Sequence, residues 1–175
     1  AGARIGTLVR GTGHSAVVRV MPNTPAQIGQ GMSAWTATAE VTKEGREVTR
    51  SILQTLGEEI YVADEKYIDM ATAVSGSGPA YVFLIIEALT EAGVYLGFSR
   101  DVAQKLVLQT LSGSTALVRE TGKHPADLKN MVTSPGGTTA EALLALEAGG
   151  LRATLAAGVI AAYEKARTLG EQSEK

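Results

Sequence analysis

The chain has 175 residues, of which 45% are hydrophobic, 19% charged and 5% aromatic, and its formal net charge is -2. That apolar content excludes disorder, the lack of a fixed period excludes a collagen-like or solenoid chain, and a pI near 5.7 with interspersed charges gives no footprint for nucleic acid. Cysteine is absent, which removes disulfides, thiolate metal sites and a thiol nucleophile.

The first third alternates short β-branched runs with turn signals. A short helical pattern (Ile5, Leu8, Val9) precedes the run Ala16-Val17-Val18-Arg19-Val20-Met21, predicted as a strand. A second strand is predicted over 32–38 and a third over 59–63. Between them Val41, Val48, Ile52 and Leu56 recur at helical spacing, with Gly57 as the expected C-cap. This β, β, α, β order is a piece of an α/β sheet. The acidic pairs Glu58-Glu59 and Asp64-Glu65 are expected to be solvated.

After residue 65 the period becomes helical. Pro79 opens a helix that stays apolar through Leu84, Ile85, Ile86 and Leu89 to about Gly93. Ser99 is the expected cap of a second helix that ends at Gly122. Pro125, preceded by His124 as a cap, opens a third, Thr138 or Thr139 a fourth, and Leu151 a last one to about Leu169. The helix from Pro79 is hydrophobic around most of its circumference and should be buried on nearly all sides. Five helices rich in small residues could hardly surround it, so a second subunit, most simply in a two-fold dimer, is expected to cover it. The alternative is an Ala-rich monomeric bundle.

No secretory signal is visible, and the apolar stretch 80–92 is interrupted by Glu87 and Glu91 and is too short to span a bilayer. A cytoplasmic protein with no membrane or nucleic-acid partner is expected.

Four segments could carry chemistry. Gly11-Thr12-Gly13-His14-Ser15-Ala16 has dinucleotide-binding spacing, but a strand follows it and a helix precedes it, the inverse of what pyrophosphate binding needs, so it reads as a loop. Thr133-Ser134-Pro135-Gly136-Gly137-Thr138-Thr139 leads directly into a helix. Its glycines permit close backbone approach, the helix start offers unpaired N–H groups, and the hydroxyls of Ser134, Thr138 and Thr139 add donors, which together suit a carboxylate or phosphate. A plain capping box between Thr138 and Glu141 is the competing reading. Ser75-Gly76-Ser77-Gly78-Pro79-Ala80 either lets a flat ligand pass close to the backbone or packs a tight turn. Met21-Pro22-Asn23-Thr24-Pro25-Ala26 is either a ligand loop at the carboxyl end of a strand or an ordinary turn. His14 and His124 are isolated, so no metal site and no Ser-His-Asp arrangement is predicted.

Val20-Met21-Pro22-Asn23-Thr24-Pro25-Ala26, Ala73-Val74-Ser75-Gly76-Ser77-Gly78-Pro79-Ala80-Tyr81 and Val132-Thr133-Ser134-Pro135-Gly136-Gly137-Thr138-Thr139 resemble pyrroline-5-carboxylate reductase, in order and over essentially the whole chain, including Glu147-Ala148-Gly149-Gly150-Leu151-Arg152. The resemblance implies reduction of 1-pyrroline-5-carboxylate to L-proline, the last step of proline biosynthesis, by hydride from NADPH or, alternatively, NADH. It implies a mainly α fold: residues 1–64 as the C-terminal part of an incomplete Rossmann-type domain, and residues 65–175 as a helical substrate-binding and dimerisation domain forming a homodimer or a larger assembly of dimers. By the same resemblance Ser134, Gly136, Gly137, Thr138 and Thr139 bind the substrate carboxylate, Thr139 also acts at the ring nitrogen, and Glu65 lies near the substrate. Ala1, Gly2, Asn23, Thr24, Gly76 and Pro79 are assigned to the cofactor, whereas Met131 departs from the Asn that some members place there.

The start at Ala1 rather than Met, with no Gly-rich phosphate loop upstream, leads to the expectation of a fragment that is inactive alone. A stand-alone helical dimerisation or binding module without turnover is the alternative. A dehydrogenase of hydroxy acids is a weaker one, because no Lys lies in or beside the Gly-rich loops.

Overall fold

A computed structural model of the chain describes residues 1–173. Its elements are helix α1 (Ile5–Thr12), strand β1 (Val18–Met21), strand β2 (Gly31–Ala37), helix α2 (Lys43–Gln54), strand β3 (Gly57–Tyr61), then helices α3 (Lys66–Ala71), α4 (Gly78–Tyr95), α5 (Arg100–Thr121), α6 (Pro125–Met131), α7 (Thr138–Ala148) and α8 (Leu151–Ser173). The fold is mainly α with a small α/β portion first, as predicted. Two compact units divide it: residues 1–81 with the chain from 156 on, and residues 82–155.

In the first unit the sheet has the order β1-β2-β3, with β1 antiparallel and β3 parallel to β2. As the central strand, β2 loses its inside-outside alternation, and Ala34 and Trp35 are almost fully enclosed. Trp35 packs edge-on against Tyr61 across the parallel pair, at 4.9 Å between ring centres. Ile68 of α3 completes this core. The expected C-cap at Gly57 is corrected: α2 ends at Thr55, and Gly57 opens β3 with φ 137. A side chain there would strike the backbone of its partner Gly31, so glycine is required by strand approach rather than by helix termination. α1 ends at Gly13, in the left-handed region, and β1 follows, so the Gly11 to Ala16 segment is a helix exit that leads into a strand and not into a second helix, as expected.

The helical part begins earlier than Pro79. α3 already runs from Lys66, and a π turn at Thr72–Gly76, closed by the Ser77 N–H to the Thr72 carbonyl at 2.8 Å, carries the chain into α4. Lys66–Tyr95 thus meets the length and composition needed to cross a bilayer, which corrects the expectation drawn from 80–92 alone; a helix covered by protein meets the same criterion. α8 also continues past the predicted end at Leu169, to Ser173.

In the second unit the helices start and stop at the predicted positions, although the Ser99 side chain makes no capping hydrogen bond to α5. α5 follows Ser99 and ends at left-handed Gly122, and α6 starts at Pro125 with the His124 ring accepting the Ala126 N–H at 3.2 Å. Gly93 meets Ala103 closely enough that an added methyl would sit 2.9 Å from the Ala103 Cβ. The expected burial of α4 is not supplied by this chain. Thr90 is its buried residue, while Phe83 and Leu84 are 60% and 65% exposed.

Candidate functional site

The loop before α7 is a tight turn followed by an uncapped helix start. Gly136 has φ 67, and the Gly137 N–H returns to the Ser134 carbonyl at 3.0 Å. Gly137, not Thr138, is the N-cap residue, and no side chain caps the helix. The capping-box reading is therefore not realised. The Gly137 carbonyl accepts the N–H groups of Ala140 and Glu141 at 3.0 and 3.3 Å. The N–H groups of Thr138 and Thr139 open the helix ahead of any in-line carbonyl and sit at the positive end of its dipole. Ser134 and Thr138 are exposed and Thr139 half-buried beside them. Thr133 is engaged differently, its hydroxyl donating to the Lys129 carbonyl at 2.7 Å. This arrangement can hold one carboxylate without a cationic side chain.

The residues assigned to the cofactor all lie in the first unit. Asn23 ties two of the sequence motifs together. Its Oδ1 accepts the Met32 N–H at 2.9 Å, and its Nδ2 donates to the Ser75 carbonyl at 3.1 Å. Thr24 opens a short 3-10 turn with Pro25, and Pro79 lies in the first turn of α4. Gly76 packs over Met21: an added Cβ would come within 2.6 Å of the Met21 Cε, so tight packing is realised there, although against a strand. Gly78, two residues on, faces open space. Ala1 and Ala3 line a cleft of about 320 Å³ with Leu8, Val18, Arg19, Val20, Met21 and Ile68.

Behind that cleft lies a charge network that the sequence reading missed. Arg19, 5% exposed, donates to Glu65 at 2.8 Å and to Asp69 at 3.1 Å, and Asp69 also receives Arg4 at 2.9 Å. Glu65 additionally accepts the Ile5 N–H at 2.6 Å. Glu65 is therefore not a solvated acid. Nor is Glu59, which accepts from the Trp35 indole and from Arg50 and is 12% exposed. Asp64 does face solvent, and its carboxyl is held below the ordinary value of 3.8 by hydrogen bonds from the Lys66 backbone and ammonium. Arg19 stands between β-branched residues in a strand, where alternation alone reads it as surface; only the acids 46 and 50 positions away reveal its burial. Among the described residues no group of three or more His, Asp or Glu side chains is arranged to hold a metal ion.

A family model described as pyrroline-5-carboxylate reductase dimerisation matches residues 65–169. A pyrroline-5-carboxylate reductase of Glycine max is 44% identical over 97% of this chain, and one of Synechocystis is 43% identical over 98%. The crystal structure of a Plasmodium falciparum pyrroline carboxylate reductase with NADP bound superposes with a TM-score of 0.92 at 39% identity, covering 97% of this chain and 68% of that one. The chain spans 61% of the length of the Glycine max relative. With the family model matching more than half of its residues, the chain belongs to the pyrroline-5-carboxylate reductase family.

Proposed function

We propose that this chain is part of an enzyme that reduces 1-pyrroline-5-carboxylate to L-proline at the expense of NADPH or NADH, as the last step of proline biosynthesis in the cytoplasm. The observation that carries the proposal is the exposed start of α7, an anion site of the kind a cyclic imino acid needs, in a chain of this family. The N–H groups of Thr138 and Thr139, with the Ser134 hydroxyl and the close approach allowed by Gly136 and Gly137, bind the carboxylate. Each charge-assisted hydrogen bond of this kind contributes about 1.5–3 kcal/mol. The Thr139 hydroxyl holds the ring nitrogen. A neutral hydroxyl is a poor acid, and an imine takes its proton readily from water, so Thr139 orients rather than protonates. Glu65, held by Arg19, is kept in the proposal as a group near the substrate.

The cleft supports a place for the nicotinamide end of the cofactor, because Ala1 lines it and its walls are small or aliphatic at Ala1, Ala3, Val18 and Val20. When bound, the cofactor supplies the hydride for the imine carbon. Ala1, which lines the cleft, and Asn23, Thr24, Gly76 and Pro79, which lie outside its lining, would hold it, with Asn23 fixing the strand exit against the glycine turn and Gly2 turned away against α8. In this reading residues 1–64 are the cofactor-side part and residues 65–175 the substrate-binding and dimerisation part, and a second copy covers the apolar face of α4.

The second reading, a binding module without turnover, is favoured by one observation: the family model that matches is that of the dimerisation region. NADPH oxidation with pyrroline-5-carboxylate, followed for this chain and for a version extended upstream, separates the two. Turnover by the extended chain is expected; none in either would leave only the binding module.

A further inference from the structure

The end of α8 grips the first residues of the chain at four points, all within one compact unit. Gly2, buried and at φ 79, lies against Leu169, where an added Cβ would stand 2.9 Å from the Leu169 Cβ. Gly170 lies beneath the Arg4 guanidinium, and a methyl there would come within 2.8 Å of its central carbon. The Ser173 hydroxyl donates to the Gly2 carbonyl at 2.7 Å, and the Thr7 hydroxyl donates to the Ser173 carbonyl at 2.8 Å. Arg4 continues the chain of contacts to Asp69, and Asp69 to Arg19. The direction of the first residues matters here. Ala1 and Ala3 line the cleft, whereas Gly2 between them lies against α8. The position of one cleft wall is therefore set by a helix turn behind it. Residues 170–173 fall beyond the matched family region, which ends at 169.

We propose that the last turn of α8 is a positioning element for the cofactor-side wall of the cleft, acting through Gly170 and Arg4. The proposal rests on the assignment of Ala1 to the cofactor, Gly2 being the point at which α8 holds that residue. Gly170 needs no side chain because the flat guanidinium occupies its place, and Arg4 is thereby held with its far end on Asp69.

The test uses the chain extended upstream and reads two quantities: hydrogen exchange of the amides of residues 2–8, and the Kd for NADPH from its fluorescence. In Gly170→Ala the methyl displaces the guanidinium. Exchange in residues 2–8 should then quicken about tenfold while β2 stays protected. The Kd for NADPH should rise about tenfold, the scale of a lost supporting hydrogen bond. At saturating NADPH both KM for pyrroline-5-carboxylate and kcat should stay within about twofold, whereas loss of folded enzyme would lower kcat. Ser173→Ala, which leaves the packing intact, should move the same two readouts in the same direction by a smaller factor. Unchanged exchange in residues 2–8 in both variants overturns the grip. Faster exchange with an unchanged NADPH Kd overturns its connection to the cofactor. Failure of the wild-type extended chain to turn over substrate would count against the reductase reading, whereas the exchange arm would still report on the grip.

Discussion

Residues 1–81, with the chain from 156 on, enclose Trp35, Ile68, Leu53 and Ala34 around a three-stranded sheet, and they hold a four-membered charge network with Arg19 and Asp69 buried at its centre. Residues 82–155 enclose little beyond Ala103 and Thr90, and carry Phe83, Leu84, Leu106, Leu117 and Leu144 about half exposed or more. The two units use comparable apolar content in opposite ways. The first has an enclosed centre, because a sheet with one covering helix and a crossover helix can bury a Trp completely, although Ile28, Val48, Ile52, Val74 and Ile160 around that centre stay more than half exposed. The second cannot, because its helices meet through small residues such as Gly93 and Ala103, which bring the backbones close but cover little area. Half-covering a Leu or Phe side chain contributes about 1 kcal/mol, so the outward residues of the second unit hold several kcal/mol that only another surface can supply. That is the physical content of the proposed dimer.

The largest effect expected from this contrast is in the first unit. Asp69→Ala removes the acid between Arg4 and Arg19 and leaves two guanidinium groups, one of them 5% exposed, without their shared partner. Breaking a buried pair in this way costs about 3–5 kcal/mol. Urea denaturation followed by Trp35 fluorescence reads it directly, and a loss below about 1 kcal/mol would mean that the network is incidental to the fold. Next in size is Leu84→Asp in the second unit. It places a charge on the apolar face at a side chain already 65% exposed in the single chain, so the monomer should keep its helicity. Self-association measured by sedimentation should weaken at least about a hundredfold, or about 3 kcal/mol. Undiminished association would move the interface off α4 and leave its apolar face without the proposed occupant.

The contrast also explains what could be read in advance. Helix boundaries set by local chemistry were legible: Gly122 ends a helix in the left-handed region, and Pro125 after His124 begins one. So was the loop before α7, since glycines, hydroxyls and a helix start are contiguous. The apolar circumference of α4 signalled that this chain alone would not cover it. What escaped depends on partners far apart in sequence. Gly57 looks like a helix stop until Gly31 is seen across the strand pair, and the acids at 59 and 65 look solvated until Arg50, Trp35 and Arg19 are placed beside them. The π turn at Thr72–Gly76 was hidden by Ser75 and Gly76, which read as the start of a glycine-rich turn although Gly76 packs over Met21 in a helical segment.

The smallest expected effect probes the same contrast through electrostatics. In the first unit opposite charges meet in the interior, whereas in the second Glu91 of α4 and Arg100 of α5 meet on the surface, at 2.6 and 3.3 Å across the turn between the helices. The hydrogen bonds from Arg100, and then its charge, hold the Glu91 carboxyl below its ordinary value of 4.5. A carboxyl whose folded value is depressed stabilises the fold above its unfolded value, and loses that contribution as the pH falls through the folded one. Glu91→Gln removes the charge at every pH. Its melting temperature should therefore fall slightly below that of the parent chain at neutral pH, and the gap should close as the pH is taken well below 4.5. Added salt should narrow the gap at neutral pH too, because the pair is open to solvent. Calorimetry across that range separates charge from packing. A gap that persists unchanged in acid would show that Glu91 holds the α4–α5 turn by shape, and that the second unit, like the first, draws on its polar side chains for more than surface charge.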